Sequence, residues 1–181
     1  QLGEVTDDEL SAAEALVTGG LDWQVDLYPV FAQLDNGRYV ASEDRYATVR
    51  DRDERVLGVV GPMYTPFQNA ELFSFLEAVL ALPDTKFDTA GSLFGGRRVF
   101  ASVKLDREIV VDGDEHAAYL LVTNSHDGTW AFRALTSTVR VVCANTLAAA
   151  LTGAKRTYAL RHTSGLDGRI AEAREALGGT W

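Results

Sequence analysis

Residues 97–142 read RRVFASVKLDREIVVDGDEHAAYLLVTNSHDGTWAFRALTSTVRVV, and this run decides the fold. Arg97 to Leu105 and Ala117 to Thr123 are apolar-rich runs flanking the acidic turn Asp112-Gly113-Asp114-Glu115, the pattern of consecutive strands. Asn124-Ser125-His126-Asp127-Gly128 is a polar loop. Trp130 to Val142 follows as a long strand carrying the β-branched Thr136, Thr138, Val139, Val141 and Val142. Downstream, small residues over Ala144 to Leu151 predict a helix, Thr157 to His162 a last strand, and Leu166 to Leu177 a last helix.

Working back toward the N-terminus, Lys86 to Ala90 reads as a strand, separated from the next by Gly91 and Gly95-Gly96. Gln68 to Leu82 carries Leu72, Phe73, Phe75, Leu76, Val79 and Leu80 on one wide apolar stripe, and Pro83-Asp84 ends that helix. Arg45 to Arg50 and Arg55 to Val60 form a hairpin around Asp51-Arg52-Asp53-Glu54. A second hairpin joins Gln24 to Leu34 with Arg38 to Val40 through Asp35-Asn36-Gly37. Thr6-Asp7-Asp8-Glu9 has the spacing of a capping box and predicts a helix over Asp7 to Val17, closed by Gly19-Gly20. The order predicts an α+β fold: a largely antiparallel sheet built from hairpins, with about four helices packed on it. Trp23, Phe73, Phe75, Leu76 and Val79 are core candidates, and a single domain over residues 1–181, trimmed from a longer protein, is expected.

Composition narrows the function classes. The 181 residues carry 17 Lys+Arg against 26 Asp+Glu, a net charge of −9. A single cysteine, Cys143, excludes an internal disulfide framework and fits the cytoplasm. With no apolar run long enough to span a bilayer, no membrane role is expected. Charge is polarised: residues 1–60 hold five Arg and thirteen Asp+Glu, whereas residues 131–181 hold seven basic and three acidic residues. Such polarity can focus an anionic partner on one face, or it can pair off within the molecule.

Several runs carry a family resemblance. Leu21-Asp22-Trp23, Leu57-Gly58-Val59-Val60-Gly61, Tyr64-Thr65-Pro66 with Gln68-Asn69, and Ala90-Gly91-Ser92-Leu93 are the first of them. Thr123 to Gly128, Val139 to Leu147 and Arg161-His162-Thr163 are the more characteristic ones. In this order they resemble the phage/plasmid-like family DUF932, a domain of unknown function. The resemblance implies a mobile-element habitat, and with it work in DNA replication, recombination or host interaction, but no activity.

The chemistry-bearing residues each have a structural role open to them. A Cys/His/Asn hydrolase would draw on Cys143, on His126 or His162, and on Asn145, with Asp127 beside His126. Cys143 lies where an apolar strand meets a helix, surroundings in which a lone cysteine more often serves as a small core residue, and nucleophile signatures are absent, so the chain is not expected to be an enzyme. His116, His126 and His162 are scattered, and no metal or cofactor is expected. Asn124, Ser125, His126 and Asp127 form a candidate ligand loop, with turn geometry as the opposing reading. Gly91 to Arg98 lacks the Gly-Lys-Ser/Thr of a phosphate loop.

Single-strand binders combine a basic groove with aromatic platforms. Arg97, Arg98, Arg140, Lys155, Arg156 and Arg161 supply the cations; Trp130, Phe132, Tyr158 and His162 supply rings. Strand alternation places Arg156, Tyr158, Leu160 and His162 on one face. The favoured expectation is therefore a non-enzymatic factor on nucleic acid, preferably single-stranded DNA, of the single-strand-binding or annealing type. The alternative is a protein-interaction module or homo-oligomer working through the acidic N-terminal third.

Overall fold

The computed structural model describes residues 4–80, 87–111, 113–154, 156–162 and 169–177. Six strands form the main sheet in the order β1 (Glu4–Leu10), β5 (Phe87–Leu93), β6 (Arg98–Val111), β7 (Asp114–Ser125), β8 (Phe132–Ser137), β9 (Thr157–Leu160). Three more, β2 (Val25–Gln33), β3 (Tyr39–Arg50) and β4 (Arg55–Val60), make a second sheet. Every neighbouring pair is antiparallel, and with four helices the fold is α+β. Two sheets stand where the sequence reading placed one.

Alternation along β7 sorts its side chains between two cores. Ala118, Leu120 and Val122 point to a large core shared with Trp23, Leu57, α1 (Ala12–Thr18), α2 (Asn69–Leu80) and α4 (Ile170–Leu177). Leu121 points the other way, to a smaller core with Phe100, Leu135 and Leu147 of α3 (Ala144–Gly153). Three helices thus cover one face of the main sheet and α3 covers the other. The stripe on α2 behaves as its spacing predicts, with Leu72, Phe73, Phe75, Leu76 and Val79 buried. Phe75 packs edge-on against Phe132 with centroids 4.8 Å apart.

Several boundaries differ from the sequence reading. Residues 4–10 are a strand paired with β5 (Glu4↔Ala90, Leu10↔Phe87), so the helix expected over Asp7 to Val17 begins only at Ala12. Its capping box is Ser11 with Glu14, where the Ser11 N–H donates to Glu14 Oε2 at 2.9 Å; the Thr6/Glu9 pattern loses because sheet pairing claims that backbone. Tyr39 to Arg50 is one unbroken strand rather than two. The strands around the acidic turn reach Val111 and begin again at Asp114, so β6 and β7 form a long hairpin. The strand from Trp130 stops at Ser137, whose hydroxyl accepts the Val139 N–H at 2.9 Å and turns the chain. Lys86, Pro83-Asp84, Lys155, Thr163 and Leu166 lie outside the described residues.

Candidate functional site

The end of β7 is where the two sheets meet. His126, fully buried, donates its N–H to the Arg97 carbonyl at 2.8 Å, and its own carbonyl accepts the Thr48 hydroxyl at 2.7 Å, tying β3 to the main sheet. Its Nε2 lies 2.9 Å from Asn69 Oδ1. The Asn69 amide nitrogen is committed to the Leu21 and Trp23 carbonyls at 3.0 and 3.2 Å, so Oδ1 accepts and Nε2 carries the proton. The Trp23 ring meets the imidazole edge-on with centroids 5.2 Å apart. Burial pushes the His126 pKa down to about 3, which keeps the ring neutral.

Asn124 and Ser125 are equally buried. The Asn124 amide donates to the Phe67 carbonyl at 2.9 Å, and Ser125 exchanges two hydrogen bonds with the backbone of Trp130 at 2.9 and 3.1 Å. Asp127 caps its own turn, accepting from the Thr129 N–H at 3.0 Å and from the Thr129 hydroxyl. Asn124, Ser125, His126 and Asp127 therefore form a joint between the sheets, its first three residues fully buried, where the sequence reading placed a candidate ligand loop. Gly58 of β4 shows how close the joint is: a Cβ there would lie 2.5 Å from Asp127 Cα.

Beyond the joint the chain turns outward and frames an open groove of about 480 Å³. One wall is Gly61 to Tyr64 after β4, a second is Gly128 to Ala131, and Arg161-His162 at the end of β9 closes it. The Tyr64 hydroxyl donates to the Ser125 carbonyl at 2.9 Å, which fixes its ring, and His162 stacks on that ring with centroids 4.7 Å apart. Neither nitrogen of His162 meets a partner among the described residues. Burial is the main cause of its lowered pKa, opposed in part by the backbone of Thr65 and Trp130.

Trp130 is the centre of the charge arrangement. The Arg98 guanidinium lies over its ring at 3.7 Å, and that of Arg133 at 5.8 Å. Arg161 is exposed at the groove rim. None of these three arginines forms an ion pair among the described residues, whereas Arg45, Arg50, Arg52, Arg140 and Arg169 all do. On a chain of net charge −9, two such cations over one indole and a third on the same groove make a local positive field.

The family model described as a domain of unknown function (DUF932) matches residues 56–181, about two thirds of the chain. The chain belongs to the DUF932 family. No curated protein and no solved structure matches it. The DUF932 match begins within β4, so it takes in the main sheet from β5 onward, the joint and every wall of the groove, while Leu21-Asp22-Trp23 lies before it.

Other residues singled out in the DUF932 chain are dispersed. Arg140 is bound bidentately to Asp88 at 2.9 and 2.8 Å. Tyr158 is buried near Phe75, and Phe132 is core, so neither ring is offered to a ligand. The face of β9 expected to mix cations and rings is thus the inward one, with Tyr158 and Leu160 buried. Arg156 is exposed and approaches the Leu177 carbonyl of α4, and Arg97 is exposed beside the 94–96 turn. Cys143 is half-exposed and caps α3, where hydrogen bonding with Thr146 lowers its pKa. Because α3 lies on the opposite face of the sheet from the Asn69–His126 pair, the Cys143/His126 constellation does not assemble. Among the described residues no group of three His, Cys, Asp or Glu could hold a metal, and no helix is long and apolar enough to cross a membrane. Sequence reasoning missed Tyr64 and Arg133 as site residues. Arg133 was detectable, since it follows Trp130 at a strand start and alternates with the core residues Phe132 and Ala134.

Proposed function

We propose that this DUF932 protein is a non-enzymatic factor of a phage or plasmid system that handles single-stranded nucleic acid, with the groove beside Trp130 as its contact surface. The observation that carries this reading is Trp130 on the wall of an open groove, with the Arg98 and Arg133 guanidiniums over its ring and Arg161 on the same groove, none of the three ion-paired among the described residues. Unpaired bases stack on such rings at about 1–3 kcal/mol each, and the cations take the phosphates. Duplex DNA keeps its bases stacked on each other and would use only the charges.

Fluorescence anisotropy of labelled single-stranded and duplex oligonucleotides at low and high salt tests this. Salt-sensitive binding that prefers single strands and falls in Trp130→Ala supports it, and no binding at low salt refutes it.

A second reading, assembly of several copies through the acidic N-terminal sheet, is favoured by Tyr28, Phe31, Tyr39 and Val59, each more than half exposed on β2 to β4. A mass that stays monomeric from micromolar to submillimolar concentration would remove it.

A further inference from the structure

The turn between β5 and β6 holds an unusual residue. Phe94, Gly95 and Gly96 all take positive φ, at 54°, 72° and 97°. For the two glycines this is unstrained, but a residue with a Cβ is disfavoured there. The turn also lies close to the second sheet: a Cβ on Gly95 would fall 2.6 Å from Arg55 Nη2, the far end of a flexible side chain, and one on Gly96 would fall 2.6 Å from Arg50 Nη1. Arg50 is itself locked by two 2.7 Å bonds to Asp53. The turn is thus clamped from the second sheet.

Held this way, the Phe94 ring is directed outward and is 54% exposed, so burial does not offset its backbone strain. The Arg98 guanidinium lies 4.9 Å from that ring, the same group that covers Trp130 at 3.7 Å. Phe94, Arg98, Trp130 and Arg133 therefore alternate as rings and cations, with Trp130 on the groove wall. An exposed cation–π contact is a weak return for a strained position, whereas strain of this kind is found where a side chain is presented to a ligand.

We infer that Phe94 is a second stacking platform for an unpaired nucleobase, one rung beyond Trp130, with Arg98 between them facing the strand backbone. This rests on the single-strand reading of the groove and adds to it the course of the strand, out of the groove and across the 94–96 turn.

The test uses the full chain with a single-stranded oligodeoxythymidylate carrying one 2-aminopurine, whose fluorescence is quenched by stacking. Phe94→Gly removes the ring and relieves the strained φ. We expect its melting temperature to be unchanged or higher while affinity falls about fivefold or more and part of the quenching is lost. Phe94→Trp should restore both. If Phe94→Gly binds like the wild type while Trp130→Ala is impaired, the inference fails and the groove reading stands. If the wild type binds no strand at all, both fall. A Phe94→Gly protein that melts lower and binds normally would assign the ring to folding and overturn the inference.

Discussion

Two neighbouring stretches of one chain segment meet opposite fates. Asn124, Ser125 and His126 are wholly buried, with main-chain and side-chain bonds to α2, β3 and β6. Four residues later Trp130 stands at the rim of a groove with two arginines over its ring. The polar residues that look most like chemistry are enclosed: His126 Nε2 and the Asn124 amide nitrogen are bonded inside the protein, and His126 Nδ1 and Asn124 Oδ1, which meet no partner among the described residues, are buried away from solvent. The residues left for a ligand are those whose charges the fold does not neutralise. What separates the joint from the rim here is burial and ion pairing rather than residue type.

The joint should break hardest. His126→Ala removes a fully buried ring, its bond to Asn69 and its contact with Trp23, and should cost roughly 3–5 kcal/mol in chemical denaturation. The same residue sets a pH dependence. Its folded pKa is about 3 against an ordinary 6.5, so between these values the unfolded chain binds a proton that the folded one does not. Stability is full above about pH 6.5 and falls by on the order of 1 kcal/mol per pH unit as pH drops toward 3. His162, also lowered, adds to this in the same direction, so the pH slope should shrink in His126→Ala without vanishing. A slope equal to that of the wild type would contradict the joint.

Gly58→Ala probes the same joint from the other sheet. Its Cβ would meet backbone at 2.5 Å, where no flexible side chain can yield, and a loss of roughly 1–3 kcal/mol is expected. Trp130→Ala should do the reverse of these two. Affinity for single strands should fall by about 1–3 kcal/mol, measured by anisotropy, with a smaller change in melting temperature because the indole is only half-buried. Should Trp130→Ala unfold the protein while His126→Ala leaves stability untouched, the contrast between joint and rim would be inverted.

Much of this architecture is legible in the sequence, and what is not has identifiable causes. The α2 stripe, the Asp35-Asn36-Gly37 turn and the Asp51 to Glu54 turn carry local signals and fall where expected. The first helix is misplaced because Thr6/Glu9 and Ser11/Glu14 are equivalent capping patterns, and only the pairing of residues 4–10 with β5, about eighty residues away, chooses between them. Asn124 to Asp127 has loop composition, and nothing local indicates that β3 and α2 close over it. Of the residues proposed for a ligand, Arg161 and His162 line the groove and Arg98 covers the Trp130 ring beside it, while Arg140 is held by Asp88, a partner fifty-two residues distant that no local pattern reveals.

Arg140 and Arg161 give the finest form of the comparison, since both lie in the basic C-terminal third and the sequence treats them alike. Arg140 holds Asp88, whose side chain is 12% exposed, through two charge-assisted bonds. Arg140→Ala would strand that carboxylate and should cost roughly 1–3 kcal/mol of stability, with single-strand affinity at a permissive temperature little changed. Arg161 has no ion-pair partner among the described residues and lines the groove. Arg161→Ala should leave the melting temperature within error and lower affinity by a modest factor. The decisive quantity is the slope of log affinity against log salt, which should drop in magnitude by about 0.7 if one phosphate contact is lost. Arg140→Ala should keep the wild-type slope even if its affinity drifts, because a weakened fold does not alter how many counterions a strand releases. Equal slopes in the two variants would mean that the unpaired cations at the rim are not where the phosphates sit.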